Sequence, residues 1–280
     1  MSREPAGLVS SSLSHFKTTH RFLHFADFTT ADEFAALVRW AKAHEARVYI
    51  LGNGSNTWFA RTTVRTVVLR NRLARAIVPL GNDRYELSSS CAVPAVLKYC
   101  HRRHLDCFYY LSSVPATIGG ALAMNAGRGR AHHLTIYDFA ESLRVLEDGV
   151  VHTLHRDAIS LEYRHTPFTG LHDRLILSGV FRFPNTRLDS DPVRDRIDWS
   201  LREQDHTAPN CGSVFKTYHA PLQAKLRWLR YGGARWSPKT TNWILNTSRN
   251  SRAIGVLITV AQMLHRLLGK RAELELIKVK

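Results

Sequence analysis

Four cysteines in 280 residues are too few for a disulfide framework. Cys91, Cys100, Cys107 and Cys211 include no Cys-x-x-Cys pair, which argues against a structural zinc and reads as free thiols. The fifteen histidines never fall into His-Glu-x-x-His or a similar ligand set, so no metal is expected. No apolar run approaches the length of a membrane span. Met1-Ser-Arg-Glu-Pro-Ala-Gly7 lacks the apolar centre and cleavage site of a signal peptide, so the expected compartment is the cytoplasm, with no membrane partner. Repeats and low-complexity tracts are missing. Acidic residues are scarce, 23 against 39 Lys and Arg for a net charge of +16, and such an excess favours anionic partners. Nucleic acid is the first candidate to test, but the basic residues (Arg61 to Arg75, Arg102-Arg103, Arg128 to Arg130, Arg227 to Arg235) spread along the chain and match no nucleic-acid module. No nucleic-acid partner is therefore expected. A nucleotide-linked substrate, or general arginine usage without a specific role, explains the charge as well.

What the chain does contain is two stretches of small residues. Ser113-Val-Pro-Ala-Thr-Ile-Gly-Gly-Ala-Leu-Ala-Met-Asn-Ala-Gly127 sets small residues where a core segment would carry bulky ones. Glycine admits close approach, and free N–H groups in a glycine-rich turn favour anionic oxygen, so a phosphate-bearing cofactor is one reading. A tight turn packed on a neighbouring element is the other. Val48-Tyr-Ile-Leu51 reads as a strand that empties into Gly52-Asn-Gly-Ser-Asn56, a phosphate-cradling arrangement. Its spacing fits neither the Gly-x-Gly-x-x-Gly fingerprint nor the P-loop. Two such loops point to a ligand with an extended diphosphate.

Around these loops the patterning is α+β. Thr30-Ala-Asp-Glu33 opens a helix with Phe34, Leu37, Val38 and Ala41 on one face, and a boundary is expected near Val67–Leu69. Residues 74–79 and 85–89 form one hairpin around Gly81-Asn-Asp83, and Ser142 to Leu154 a second around Asp148-Gly149. A helix spans Pro94 to about Arg103. The polar, proline-containing stretch Phe181–Pro192 marks a hinge. Beyond it helices are expected near Val193 to Gln204, near Leu222 to Tyr231 with Gly232-Gly233 as its stop, and from about Ser251 to Leu268, whose Ile254, Leu257, Ile258, Ala261, Leu264 and Leu268 make a core-facing stripe.

The ordered motifs Gly-x-Gly-Ser-Asn (52–56), x-Pro-x-x-x-Gly-Gly-Ala-x-x-x-Asn-Ala-Gly (114–127), Tyr163-Arg-His-Thr-Pro-Phe168 and Gly212-Ser-Val-Phe-Lys216 together resemble the UDP-N-acetylenolpyruvoylglucosamine reductases, in their shorter form. The resemblance runs from about Phe16 to the C-terminus. It implies an FAD-binding domain of the vanillyl-alcohol-oxidase type in two lobes, residues 1–69 and 70–183, and an α+β substrate-binding domain, residues 184–280, whose terminal strand 271–280 has the option of rejoining the FAD domain. It further implies non-covalent FAD, NADPH as reductant, and a nucleotide-sugar enol ether reduced in peptidoglycan precursor synthesis. Gly52, Asn53, Gly54, Ser55 and Asn56, with Pro115, Ala116, Thr117, Gly119, Gly120, Asn125 and Gly127, would hold the flavin.

Three positions match the family's chemistry. Ser213 matches the serine that protonates the enol carbon, Arg164 the arginine beside the substrate carboxylate, and Glu275 the second glutamate of a C-terminal Leu-Glu-x-Glu motif, acting in its protonated form. Glu273 takes the last role if the register slips by two, since strict alternation puts both on one face. Lys216 matches a substrate-phosphate ligand and Asn242 a substrate contact. Each residue also has a plain reading: Arg164 on the surface, Ser213 in a turn, Glu275 solvated, Lys216 solvated, Asn242 shaping a turn.

The chain departs from the family pattern at Ser113 and Ala116, where Gly-Ile-Pro-Gly is usual, and at Thr217-Tyr218, where Asn-Pro is usual. It departs again at Thr240-Thr241, which replaces a histidine, and at Leu23-His24, which replaces Gly-Gly. Two rival readings stay open: a flavoenzyme of this scaffold acting on another enol ether or nucleotide sugar, and a non-catalytic binding protein.

Overall fold

The computed structural model describes residues 4–280; Met1, Ser2 and Arg3, part of the stretch read for a leader, lie outside the described residues. Two compact units divide the chain, one built from Phe25–Asn53 and Val67–Ser200 and the other from Ala6–His24, Gly54–Thr66 and Leu201–Lys280. The units interleave in sequence, and the stretch 181–192, expected as a hinge, lies inside the first of them.

In the first unit Val67–Asn71 is the middle of a parallel arrangement, pairing with Phe25–Phe28 on one side and Val48–Leu51 on the other. The expected boundary at Val67–Leu69 is where the chain re-enters the first unit, and it does so directly as a buried central strand. Parallel partners need long crossovers, so its neighbours stand far off in sequence. Helix Ala31–Ala43 is capped by the Thr30 hydroxyl, which accepts from the Glu33 N–H at 3.1 Å, and it packs Phe34, Leu37, Val38 and Ala41 against Val48, Val67 and Leu69. A five-stranded antiparallel sheet follows, in the order Val150–His155, Ala140–Glu147, Leu175–Arg182, Arg84–Ser88, Ile77–Gly81. Both hairpins turn through consecutive left-handed residues, Asn82 and Asp83 in one and Asp148 and Gly149 in the other, as the twist of paired strands requires. Helices Val93–His101 and Ile118–Ala123 bury Val96, Leu97, Ile118 and Leu122 in the same core as Phe108 and Phe181.

The second unit is organised by helix Arg252–Leu267, whose Ile254, Leu257, Ile258 and Ala261 pack with Phe215, Trp236 and Ile244. Leu268, expected in that stripe, is 61% exposed, because it is the cap residue where the helix ends. The helix expected through Tyr231 stops at Lys225. Trp228 has a left-handed φ of 72°, which ends helical continuation, and Arg230–Tyr231 is a strand turning through Gly232-Gly233 into Ala234–Trp236. The terminal segment pairs twice: Glu273–Leu274 with Phe215–Thr217, then Ile277–Val279 in parallel with Thr57–Phe59. Among the described residues no helix is long and apolar enough to cross a membrane.

Candidate functional site

The two small-residue stretches meet in the first unit. Asn53 Nδ2 donates to the Pro115 carbonyl at 2.7 Å, and a Cβ built on Gly52 would lie 2.6 Å from Thr117 Oγ1. The Thr117 hydroxyl caps helix Ile118–Ala123 by accepting from the Gly120 N–H at 3.2 Å. Ala116 N–H donates to the Val114 carbonyl, Ile118 N–H to Cys91 and Gly119 N–H to Ser89, each at 2.8 Å. The expectation of free amides along 113–127 is corrected at these positions: they are consumed in anchoring the segment. Its glycines serve the same packing. A Cβ on Gly119 would stand 2.9 Å from Ser89 Cβ, and one on Gly127 would stand 1.9 Å from the Leu134 carbonyl oxygen. Ala116, one of the departures from the usual glycines, turns its methyl into the core, so the added Cβ fills protein interior.

The Tyr163–Phe168 motif latches onto the end of this segment. Arg164, itself left-handed at φ 57°, donates to the carbonyls of Asn125 at 3.3 Å and Gly127 at 2.9 Å. Thr166 and Thr169 donate to the Ala123 carbonyl at 3.0 and 2.5 Å. These threonines satisfy a helix-end carbonyl; the sequence reading passed over them although Thr-Pro inside the motif is a turn signal. Asn125 Nδ2 reaches the Glu162 carbonyl at 2.9 Å, while its Oδ1 is buried with no hydrogen-bond partner among the described residues.

The second unit holds the remaining half of the first loop together with Ser213, Lys216, Asn242 and Glu275. Gly212 is left-handed (φ 72°) and donates to Asn210 Oδ1 at 3.1 Å. Ser213 follows half-buried, bridged to Trp243, and its hydroxyl makes no hydrogen bond among the described residues. Asn242 is fully engaged, accepting from Phe215 N–H at 3.1 Å and donating to the Phe215 carbonyl at 2.7 Å. Through these bonds it anchors the strand Phe215–Thr217.

Glu275 sits where the terminal strand changes partner. Its N–H donates to the Val214 carbonyl at 2.9 Å, and its carbonyl accepts from Asn56 Nδ2 at 3.0 Å. Asn56 thus ties the first loop to the backbone of the candidate acid. The ladder has an irregularity in the facing strand between Phe215 and Thr217, and the strand itself is only Glu273–Leu274, so Glu275 lies past its end and the alternation expected to put Glu273 and Glu275 on one face does not extend to it. Glu273 is exposed and engaged by Lys216 Nζ at 3.3 Å and Thr217 Oγ1 at 3.4 Å. At the Thr240-Thr241 departure, Thr240 Oγ1 accepts from Asp205 N–H and Thr241 Oγ1 from Arg227, both at 2.9 Å. Cys211, beside this motif, is buried, and burial pushes its thiol up to about 12, which removes it as a nucleophile at neutral pH.

Each unit, taken by itself, offers a feature that FAD can use. Asn125 Oδ1 is a buried acceptor awaiting a donor, an arrangement costly to leave unmet. The N–H groups of Gly54, Ser55 and Asn56 donate to no protein acceptor among the described residues, as an anion cradle requires. Gly54 makes that loop possible: it is left-handed (φ 70°), and a Cβ there would lie 2.1 Å from the Leu13 carbonyl oxygen.

Comparison with known proteins agrees. Residues 23–155 match the FAD binding domain family. The UDP-N-acetylenolpyruvoylglucosamine reductase of Parasynechococcus marenigrum is 30% identical over 80% of this chain and 78% of its own, and that of Pelobacter propionicus is 29% identical over 80% and 77%. The solved reductase of Thermus caldophilus superposes with a TM-score of 0.77 at 21% identity, covering 98% of this chain and all of the other. This chain is accordingly an FAD-dependent oxidoreductase, α+β with a flavin domain of the vanillyl-alcohol-oxidase type, and belongs to the UDP-N-acetylenolpyruvoylglucosamine reductase family.

Proposed function

We propose that the protein reduces the enolpyruvyl ether of UDP-N-acetylglucosamine to the lactyl ether, UDP-N-acetylmuramate, with NADPH as reductant, as a cytoplasmic step of peptidoglycan precursor synthesis. FAD, held without a covalent bond, supplies hydride transfer from NADPH to the vinyl carbon. Residues 1–69 and 70–183 form the flavin domain in this reading and 184–280 the substrate domain. The amides of Gly54, Ser55 and Asn56 take flavin phosphate oxygens, and Pro115, Ala116, Thr117, Gly119, Gly120, Asn125 and Gly127 form a surface for the cofactor, with Gly52 and Asn53 set against Thr117 and Pro115.

Hydride addition leaves a carbanion-like enolate at the carbon beside the carboxylate, and Ser213 gives it a proton. A hydroxyl is a feeble acid, so position and the basicity of the enolate do the work that a tuned pKa does elsewhere. Solvent returns the proton to Ser213. Arg164 stabilises the charge gathering on the carboxylate and enolate oxygens. Glu275, protonated, donates a hydrogen bond to that carboxylate, and Lys216 attracts substrate phosphate. The observation that carries this reading is the uncommitted Ser213 hydroxyl, just before the strand Phe215–Thr217, with the next residue, Val214, holding the Glu275 backbone at 2.9 Å. The commitment of Glu273 to Lys216 supports Glu275 as the acid.

The test is anaerobic absorbance spectroscopy of the purified flavoprotein. NADPH is expected to bleach the flavin and UDP-N-acetylglucosamine enolpyruvate to restore it with formation of the lactyl ether. Bleaching without restoration would overturn the substrate while leaving a reductase of another enol ether; a colourless protein that binds no FAD would overturn the whole reading.

A further inference from the structure

The net charge of +16 is not shared evenly between the two units. Basic residues spread along the whole sequence, but the acids do not: the second unit holds eighteen Lys and Arg against four Asp and Glu, a net +14. From His206 to Ala272 there is no acid at all. The reaction proposed above uses one of these cations, Lys216. A surface so unbalanced draws anions from a distance, and the end of helix Arg252–Leu267 adds exposed apolar side chains to it.

That helix buries Ile254, Leu257, Ile258 and Ala261 in the core. Met263 and Leu267 lie on its other side, one turn apart and so neighbours on the helix surface. They are 58% and 77% exposed, and Leu268 at the cap is 61% exposed. Arg266 stands in the same turn, and the chain beyond the helix folds back upon it. Lys270 N–H donates to the His265 carbonyl at 2.8 Å and Gln262 Nε2 to the Ala272 carbonyl at 3.2 Å, which holds Lys270 and Arg271 against the last turn. The side chains of Arg266, Lys270 and Arg271 are exposed and make no ion pair or hydrogen bond among the described residues. The next acid, Glu273, is engaged by Lys216 and Thr217 at 3.3 and 3.4 Å. The helix dipole favours cations at this end, but it gives no reason for the apolar side chains among them.

The composition of the patch selects its occupant. A second copy of this chain would bring two units of net +14 together, against their mutual repulsion. Nucleic acid suits the charge but is held by stacking on aromatic rings, which Met263, Leu267 and Leu268 do not offer. An anionic lipid surface meets both halves, with headgroups for the cations and the acyl boundary for the aliphatic side chains. The short apolar runs of the sequence bear on spanning a membrane and not on lying against one.

We propose that the end of helix Arg252–Leu267 docks on an anionic lipid bilayer. Met263, Leu267 and Leu268 enter the boundary between headgroups and acyl chains, and Arg266, Lys270 and Arg271 pair with lipid phosphates. Three aliphatic side chains anchor weakly by themselves, so the contact needs the charge and is reversible. It goes beyond the reduction proposed above and does not depend on it.

Co-sedimentation of the flavin-loaded protein with lipid vesicles tests it. Wild type is expected to sediment with an equal mixture of phosphatidylcholine and phosphatidylglycerol and not with phosphatidylcholine alone, and to be released at about 1 M salt, where the screening length falls to about 3 Å. Met263→Gln/Leu267→Gln and Arg266→Gln/Lys270→Gln/Arg271→Gln are each expected to lower the partition coefficient at least about tenfold, with Tm unchanged because all five side chains are exposed. Val9→Gln, which removes a 68% exposed side chain elsewhere in the second unit, is the control and is expected to sediment as wild type does. If either multiple variant melts early, the single variant Leu267→Gln carries the test. A wild type that stays in the supernatant overturns the proposal, and so does an apolar variant that sediments as well as wild type, since the attraction is then charge alone. A dimer in light scattering that Met263→Gln/Leu267→Gln breaks, or a uridine oligonucleotide bound in place of vesicles through the same residues, overturns the lipid assignment.

Discussion

The stretches 52–56 and 113–127 look alike in sequence and behave differently in the fold. In 113–127 the amides of Ala116, Ile118, Gly119 and Gly120 are satisfied by protein acceptors, and Gly119 and Gly127 are glycine because backbone or a short side chain lies where a Cβ would go. In the first loop the Gly54, Ser55 and Asn56 amides are left open, even though its glycines are crowded as well, Gly52 by Thr117 Oγ1 and Gly54 by the Leu13 carbonyl. Small residues in one stretch let protein approach protein; in the other they let amides face outward. Composition alone does not distinguish these uses, because both need the same absence of side chain.

Four substitutions sharpen that contrast. The largest effect is expected from Gly54→Ala, which combines a left-handed φ with a backbone clash and should cost about 3 kcal/mol or more, read as a large drop in Tm or loss of soluble protein. Ser213→Ala comes next: turnover should fall on the order of 100-fold, as for loss of a general acid, while flavin reduction by NADPH and thermal stability stay put because the hydroxyl holds no protein partner. Normal turnover in that variant would remove Ser213 as proton donor. Asn242→Ala breaks both hydrogen bonds to Phe215 and should destabilise by about 2 kcal/mol, visible in denaturant melts. Gly120→Ala should be mildest, within about 1 kcal/mol in stability, because its Cβ meets only Thr117 Oγ1 at 3.3 Å and gains helix propensity; a weakened FAD affinity in a stable variant would place that methyl against the cofactor.

A smaller effect is expected from pH. Burial lowers the imidazole of His20 in the second unit below its ordinary value of 6.5, against a hydrogen bond to the Arg61 carbonyl that raises it. The unfolded chain then binds the proton more readily than the native one below about 6.5. Stability is therefore present above that pH and lost as pH falls through the lower native value, and His20→Gln should flatten this part of the Tm profile between pH 7.5 and 5.

Local chemistry was legible and distant pairing was not. The Asn82-Asp83 and Asp148-Gly149 turns, the Thr30 cap and the strand Val48–Leu51 depend on residues within a few positions of one another, and all four are where the sequence places them. At Val67–Leu69 the sequence shows a boundary, and the chain does pass from one unit to the other at Val67, but the strand's partners, Phe25–Phe28 and Val48–Leu51, lie one crossover away or more and were not legible. The occupied amides of Ile118 and Gly119 were invisible for the same reason, since their acceptors Cys91 and Ser89 belong to an earlier strand end. The motif residues were legible as a set, through their order along the chain. Alternation could not separate Glu273 from Glu275, because residues two apart share a face, and the end of the strand at Leu274, which does separate them, is set by pairing with a distant segment.

The double pairing of the terminal segment sets an order of events during synthesis. Asn56 reaches the Glu275 carbonyl, its own carbonyl accepts from Ile277, and Thr57–Phe59 waits for Ile277–Val279 as a strand partner. A ribosome must therefore translate more than two hundred further codons after Asn56 before that asparagine can find its place, so the open amides beside it remain without their final support until synthesis is nearly done. A nascent chain halted before Glu273 would carry Gly54, Ser55 and Asn56 as sequence without yet carrying them as a cradle.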